Sequence, residues 1–147
     1  MFIVDDASPM KPSSGDDARR PSAGFDEWRA LQRATDPMRA DIIADIVGHP
    51  SGAISVEELA YMNPDRSEDS IRRHLHTLME VGVVEEHALE PGERMRDFPY
   101  KIYALSEDAR ALFDRNQLFP VDAWQRQYQS VKKTSRIRAV ESMPRPD

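Results

Sequence analysis

The chain has no cysteine among its 147 residues. Disulfides, thiol redox sensing and thiolate metal sites are therefore excluded, and any redox signal must arrive by another route. No apolar run approaches the ~18 residues that a membrane span needs, and Met1-Phe2-Ile3-Val4 leads straight into Asp5-Asp6, unlike the apolar core of a secretory signal. A cytoplasmic protein with no membrane partner is expected. Lysine is scarce, since 16 of the 20 basic residues are arginine. Catalytic constellations are missing as well: there is no Gly-rich phosphate loop and no nucleophile elbow. The adjacent acids Asp16-Asp17, Glu57-Glu58 and Glu85-Glu86 diverge in helix or strand and read as solvated faces. The expectation is a non-enzyme with no cofactor and no evident small-molecule ligand. His49, His74, His76 and His87 lack a metal-ligand spacing, so no metal site is expected.

What remains is 39% hydrophobic and 31% charged, enough apolar material for one domain with a modest core. The charge is uneven. Residues 25–116 hold 11 basic and 19 acidic groups, and residues 117–147 hold 6 and 3, an acidic body with a basic tail. Residues 1–24, with Pro9, Pro12, Gly15, Pro21 and Gly24 among charges and no apolar period after Val4, read as a disordered arm in which Arg19-Arg20 is a solvated pair, with contact to DNA the lesser alternative. The division expected is therefore 1–24 arm, 25–116 folded domain, 117–147 C-terminal helix and tail.

Taken in order, Phe25, Trp28 and Leu31 share one face of a helix over Phe25–Ala34. Asp36 then caps a second helix with Pro37 at its first position and Met38, Ile42, Ile43, Ile46 and Val47 on its apolar face, stopped by Gly48 and Pro50. A short strand at Ile54 is followed by the capping box Ser55-Val56-Glu57-Glu58, which starts a third helix. Asn63-Pro64-Asp65-Arg66 is a turn, Ser67 caps a fourth helix, and Gly82 closes it. Val83–Leu89 and Phe98–Leu105 read as a strand pair around Glu90-Pro91-Gly92-Glu93, with Pro99 implying an edge or a bulge. Ser106 caps a helix over Glu107–Asn116. Val121, Trp124, Tyr128 and Val131 place a last helix that runs to about Lys133, and Met143–Asp147 is expected to fray.

Helix, turn, helix and two-stranded ribbon make a winged helix-turn-helix: mainly α with a small β-wing, and with additional N- and C-terminal helices. At 100° per residue Ile71, Leu75 and Leu78 fall on one narrow stripe of the fourth helix, while Asp69, Arg73 and His76 fall opposite, flanked by Ser70, Arg72 and Thr77. One side packs and the other reads. Arginines beside Ser70 and His76 suit guanine edges and phosphates. Asp69 has two readings, an acceptor for a cytosine amino group or a first-turn acid favoured by the helix dipole. His74 flanks the apolar stripe and reads as a packed histidine.

The motif Ser67-x-x-Ser70-Ile71-x-Arg73-His74-Leu75-x-x-Leu78, followed by Val81-Gly82-Val83-Val84, resembles the recognition helix and following strand of ArsR-like and PadR-like transcription regulators. Upstream, Asp36-Pro37-Met38-Arg39 resembles the Asp-Pro-x-Arg that opens a helix in ArsR-like proteins; downstream, Ala109 stands where the family usually has Gly. Composition and the C-terminal segment are similar to those of small haloarchaeal regulators, among them an oxidative-stress regulator. Over about residues 25 to 140 the resemblance implies a homodimer on double-stranded DNA, with the recognition helix in the major groove and the wing on backbone or minor groove. The expected DNA-facing set is Ser55, Arg66, Ser67, Asp69, Ser70, Arg72, Arg73, His76 and Thr77, with Arg94 and Arg96 at the wing tip. Those two arginines either reach phosphate or pair with Glu93 and Asp97 on a solvated hairpin. Phe25, Trp28 and Leu31, with Trp124, Tyr128 and Val131, form two aromatic stripes expected to pair across a two-fold axis. An acidic body is odd for a DNA partner, but at 1 M salt Coulomb terms reach only roughly 3 Å. A winged helix used for protein contact within the transcription machinery is the rival expectation.

Overall fold

The computed structural model describes residues 22–146. The expected arm therefore lies almost wholly outside the described residues, Arg19 and Arg20 included. Its last three residues are held, with the Ser22 amide donating to an Asp108 carboxylate oxygen at 3.1 Å and the Phe25 amide to the Ser22 carbonyl at 3.0 Å.

Caps set the helix starts. α1 (Glu27–Ala34) begins at Asp26, whose carboxylate accepts from the Arg29 amide, and α2 (Pro37–Gly48) begins at Asp36, which accepts from the Met38 and Arg39 amides. Such a side chain satisfies donors the helix cannot, worth about 1 kcal/mol each. β1 (Ala53–Ile54) leads into α3 (Val56–Met62), which starts at the reciprocal Ser55–Glu58 capping box. Ser67 caps α4 (Glu68–Glu80), and Gly82 follows it at φ +75°, a conformation only glycine adopts without cost. β2 (Val84–Ala88) and β3 (Lys101–Leu105) then pair antiparallel, with Val84 opposite Leu105 and Ala88 opposite Lys101. β1 adds to the other edge of β3, giving the order β1-β3-β2. β3 starts three residues later than the sequence suggests because Pro99 has no N–H to give to a ladder.

Ile71, Leu75 and Leu78 of α4 are fully buried against Ile42, Ile43 and Ile46 of α2, Leu59 of α3, and Leu112 and Phe113 of α5 (Glu107–Arg115). Each such aliphatic side chain contributes about 1.5–3 kcal/mol, which orients α4 with its polar side outward. Among the described residues no helix is long and apolar enough to cross a membrane.

The C-terminal region departs from expectation twice. The last expected helix ends early: α6 covers Val121–Ser130, Val131 turns extended, and Thr134 caps a further helix, α7 (Ser135–Ser142), by accepting from the Ile137 amide. α7 buries Ile137 and Val140, and Met143 beyond it is buried too, so the segment expected to fray is packed. Three apolar positions among arginines are too sparse a stripe to stand out by periodicity. The aromatic stripe of α6 is also covered by the chain itself. Tyr128 is 3% exposed with its ring 5.6 Å from that of His49, Trp124 is half-buried against the core, and Val131 alone of the three is exposed. Phe25 and Leu31 likewise lean on the core, whereas Trp28 is 68% exposed.

α6 can sit this close because Gly48 ends α2 beneath it. A Cβ at Gly48 would lie 2.6 Å from the Trp124 carbonyl oxygen and 2.9 Å from the Tyr128 Cβ. Gly48→Ala should push α6 away and cost about 1–3 kcal/mol, the usual penalty of an overpacked contact. Urea unfolding checks this; a midpoint equal to wild type would mean that the two helices are not locked together.

Candidate nucleic-acid interface

The exposed face of α4 carries the expected residues in unequal states. Arg72 is held along its own helix, 3.2 Å from Glu68 and 3.7 Å from Asp69. Asp69 itself is 94% exposed. His76 lies 3.5 Å from Glu80, and Thr77 donates its hydroxyl hydrogen to the Arg73 carbonyl at 3.2 Å. Ser67 is committed to its cap, accepting from the Ser70 amide. Ser70 is half-buried with its hydroxyl 3.7 Å from the Met38 sulfur, and the Arg66 guanidinium approaches the same sulfur at 3.0 Å. Arg73 is different: it is exposed and makes no side-chain hydrogen bond or ion pair with any described residue. It is the side chain of this face most available to a ligand. Beside it His74 turns inward, where burial first and then the Arg39 charge hold its pKa below the usual value, and Arg39 donates to its Nδ1 at 3.2 Å.

Ser55 does not belong to this face. It is completely buried, its hydroxyl donating to Glu58 Oε1 at 3.0 Å and accepting from the Glu58 amide at 3.2 Å. Contact with DNA would require undoing the cap.

Between α4 and the wing lies a cleft of ≈ 540 Å³, bordered by Arg72 and His76 of α4, Glu57 of α3, Glu86 of β2, and Tyr100, Lys101 and Tyr103 of the returning strand. Tyr103 donates to Glu86 at 2.8 Å, and burial together with that carboxylate pushes its pKa up to about 12, so the phenol keeps its proton. At the tip Arg94 is folded back, its Nε donating to the Leu89 carbonyl at 2.9 Å and its guanidinium stacked 3.9 Å from the Tyr100 ring centre. Neither Arg94 nor Arg96 pairs with Glu93 or Asp97, and Arg96 is exposed with no partner among the described residues. On this face the acids Glu57, Glu68, Asp69 and Glu86 stand among the basic residues, so it offers placed guanidinium groups rather than a broad basic field. Lys101 and the tyrosines were absent from the sequence-based set because only the β2–β3 register brings them beside α4.

No family model and no curated protein matches the chain. A solved structure does: a protein with a GntR superfamily winged-helix-turn-helix domain from Halomicrobium mukohataei, 31% identical, with a TM-score of 0.74 over 90% of this chain and 94% of that one. The chain belongs to the GntR-superfamily winged helix-turn-helix proteins. The winged-helix expectation therefore holds; the narrower likeness to ArsR-like and PadR-like regulators is finer than this match reaches.

In this winged helix-turn-helix protein the start of α3 is anchored from the far end of the chain. Glu58 is completely buried, and its Oε1 accepts from the Ser55 amide at 3.1 Å and from Arg145 Nη2 at 3.0 Å, while Oε2 lies 2.6 Å from His49 Nε2. The Ser51 amide donates to His49 Nδ1 at 3.1 Å, so Nδ1 is the acceptor and Nε2 carries the proton given to Glu58. Arg145 also donates to the Ala53, Val140 and Met143 carbonyls. Burial pulls the Glu58 carboxyl upward, but the His49 hydrogen bond, the Arg145 charge and the Ser55 amide outweigh it and hold the pKa below its ordinary value. Ligand atoms of His49, Glu58 and Glu141 lie within 4.8 Å of one another, a grouping that scattered sequence positions conceal. It suits a cation poorly: His49 Nε2 is protonated and the Arg145 guanidinium stands 3.0 Å from both His49 and Glu58.

Proposed function

We propose that the protein is a cytoplasmic, sequence-specific regulator of transcription that binds double-stranded DNA as a homodimer. In this reading α4 enters the major groove, Arg73 reads a base edge, and Arg72, His76, Asp69, Thr77, Ser67, Ser70 and Arg66 flank it on edges and phosphates. The wing then lies along the backbone or the adjacent minor groove. The observation that carries the reading is Arg73, an exposed guanidinium without a partner among the described residues, on a helix whose opposite side is locked into the core. Its acidic surroundings favour a high-salt setting, where contact geometry outweighs the net field; the haloarchaeal source of the similar structure accords with that. Selection from random duplexes in molar potassium tests it. Enrichment of one sequence supports the reading, and recovery of an unenriched pool would refute it.

The protein-contact alternative draws on the acids of the cleft, Glu57, Glu68 and Glu86. A domain that enriches no duplex would leave that alternative standing.

At the wing, Arg96→Ala should weaken binding to all duplexes about equally and lower the slope of log affinity against log salt by ~1, as expected for one lost phosphate contact. Arg94→Ala acts by loosening the loop that Arg94 pins, so its effect should be smaller on the slope. Identical isotherms for Arg96→Ala and wild type from low to molar potassium would take the wing off the DNA.

For the homodimer the surface we favour is that of α1, where Trp28 is exposed, because Tyr128 and much of Trp124 are buried within the chain. Sedimentation should show a dimer at micromolar concentration that Trp28→Ala weakens by at least tenfold, the loss expected of a central aromatic anchor at about 1.4 kcal/mol or more. A monomeric wild type would remove the dimer from the proposal.

A further inference from the structure

The connection between β2 and β3, residues 89–100, is folded mostly on itself. The Leu89 amide donates to the Tyr100 carbonyl at 2.9 Å, the Glu93 amide to the Glu90 carbonyl at 2.8 Å and the Phe98 amide to the Met95 carbonyl at 3.1 Å. Among the described residues one side chain hydrogen-bonds this connection to the rest of the protein: Arg136, near the start of α7, whose Nη2 donates to the Asp97 carbonyl at 2.5 Å. The same guanidinium grips Glu57 of α3, Nε donating to Oε2 at 2.8 Å and Nη2 to Oε1 at 3.0 Å, and lies 4.4 Å from the centre of the Phe98 ring. Its two anchors differ in firmness. Glu57 stands in the first turn of α3 between the buried Val56 and Glu58, where the capping box fixes its backbone. Asp97 is exposed at φ +64°, a left-handed conformation that a non-glycine residue keeps only where its surroundings hold it. Leu89 and Phe98 also pack with Val140 and Met143, in and just after α7. The Arg136 side chain is 42% exposed, and an ion pair that wet adds little to overall stability. What it constrains is geometry.

We propose that Arg136 is a positioning residue of the wing: it ties the first helix of the helix-turn-helix to the Asp97 carbonyl and so sets the pose of Arg96, the neighbour of Asp97 in the chain. The planar fork suits this task, since two N–H groups meet the carboxylate while the second hydrogen of Nη2 is left for the carbonyl. A lysine at this position would supply a point charge without that bridge. Holding Arg96 in place before a partner arrives spares the cost of ordering the wing on binding. That Arg96 then meets DNA rests on the reading above; the placement of the wing does not.

Hydrogen exchange followed by NMR, on the full chain without DNA, therefore separates the two ideas. Arg136→Ala and Glu57→Ala should each speed exchange of the Glu93 and Phe98 amides by about tenfold while the amides of α4 keep their wild-type rates, as a local opening of the wing requires. Arg136→Lys should behave like Arg136→Ala. Unchanged rates at the two wing amides in Arg136→Ala would overturn the proposal. Equal acceleration in the wing and in α4 would do the same, because Arg136 would then only stabilise the fold. A second arm reads affinity for the selected duplex in molar potassium, where the charge of Glu57 is screened. Arg136→Ala should weaken it by about threefold in the wild-type background and no further in the Arg96→Ala background, the coupling expected of a residue that acts through Arg96. Additive losses would break the link to Arg96. A wild type that prefers no duplex would strike the DNA-binding reading instead, and the exchange rates alone would then decide whether Arg136 places the wing.

Discussion

Glu58→Ala and Arg145→Ala are each expected to lower the stability of the fold by about 3–5 kcal/mol, the cost of leaving one charge of a buried pair without its partner. The Glu58 side chain is fully buried and that of Arg145 is 11% exposed, so neither charge can recover hydration in place. Removing Glu58 also takes the acceptor from His49 and opens the Ser55 capping box at the start of α3. Arg145→Ala releases the tail from the Ala53 carbonyl as well, loosening β1 at its edge of the sheet. Against a total of about 5–15 kcal/mol for a domain, either variant would be marginal. The double variant should cost less than the sum, because the second change removes the stranded charge. The pH dependence follows from the lowered Glu58 pKa. Its contribution is fully present above the ordinary value of 4.5 and is lost as pH falls through the lower folded value. Glu58→Gln should flatten that acid limb. Urea unfolding across pH measures all of this, and an Arg145→Ala midpoint equal to wild type would show that the tail is not a clamp.

Arg73→Ala is expected to cost about 1–3 kcal/mol of affinity for the preferred duplex and to relax the preference at one base pair. Arg72→Ala should cost less. The difference lies in what each guanidinium does without DNA: Arg72 already has Glu68 and Asp69 and must give up part of those contacts to reach a base, whereas Arg73 has no described partner to leave. Neither residue is in the core, so both variants should unfold as wild type does. Fluorescence anisotropy with the selected duplex and single-base variants reads affinity and preference together. Equal losses on every duplex would make Arg73 a phosphate contact, and no loss would remove it from the interface.

Local chemistry made much of this fold legible. The stripe Ile71, Leu75, Leu78 and the caps Asp36, Ser55, Ser67 and Ser106 each act within a few residues, so helix starts and the buried side of α4 could be read without tertiary information. The failures are non-local. Tyr128 sits on a plausible exposed stripe until Gly48, eighty residues earlier, lets α6 settle on α2. Arg145 stands among prolines where fraying is the natural reading, yet the Glu58 carboxylate it donates to lies 87 residues away. Nothing near either of the two signals the other. Ser55 is lost to DNA for a reason the capping box alone does not show: its hydroxyl proton goes to Glu58 Oε1, which leaves none to donate to a phosphate oxygen. The cleft required the strand register, because Lys101 and Tyr103 border it only through pairing with Ala88 and Glu86.

The most direct test of the central claim is the ratio of wild-type affinities for the selected duplex and for a scrambled duplex of the same composition, measured in molar potassium, where the nonspecific phosphate term is suppressed. Sequence readout by α4 predicts a preference of at least about a thousandfold, carried in large part by Arg73. Equal affinities for the two duplexes would contradict the account.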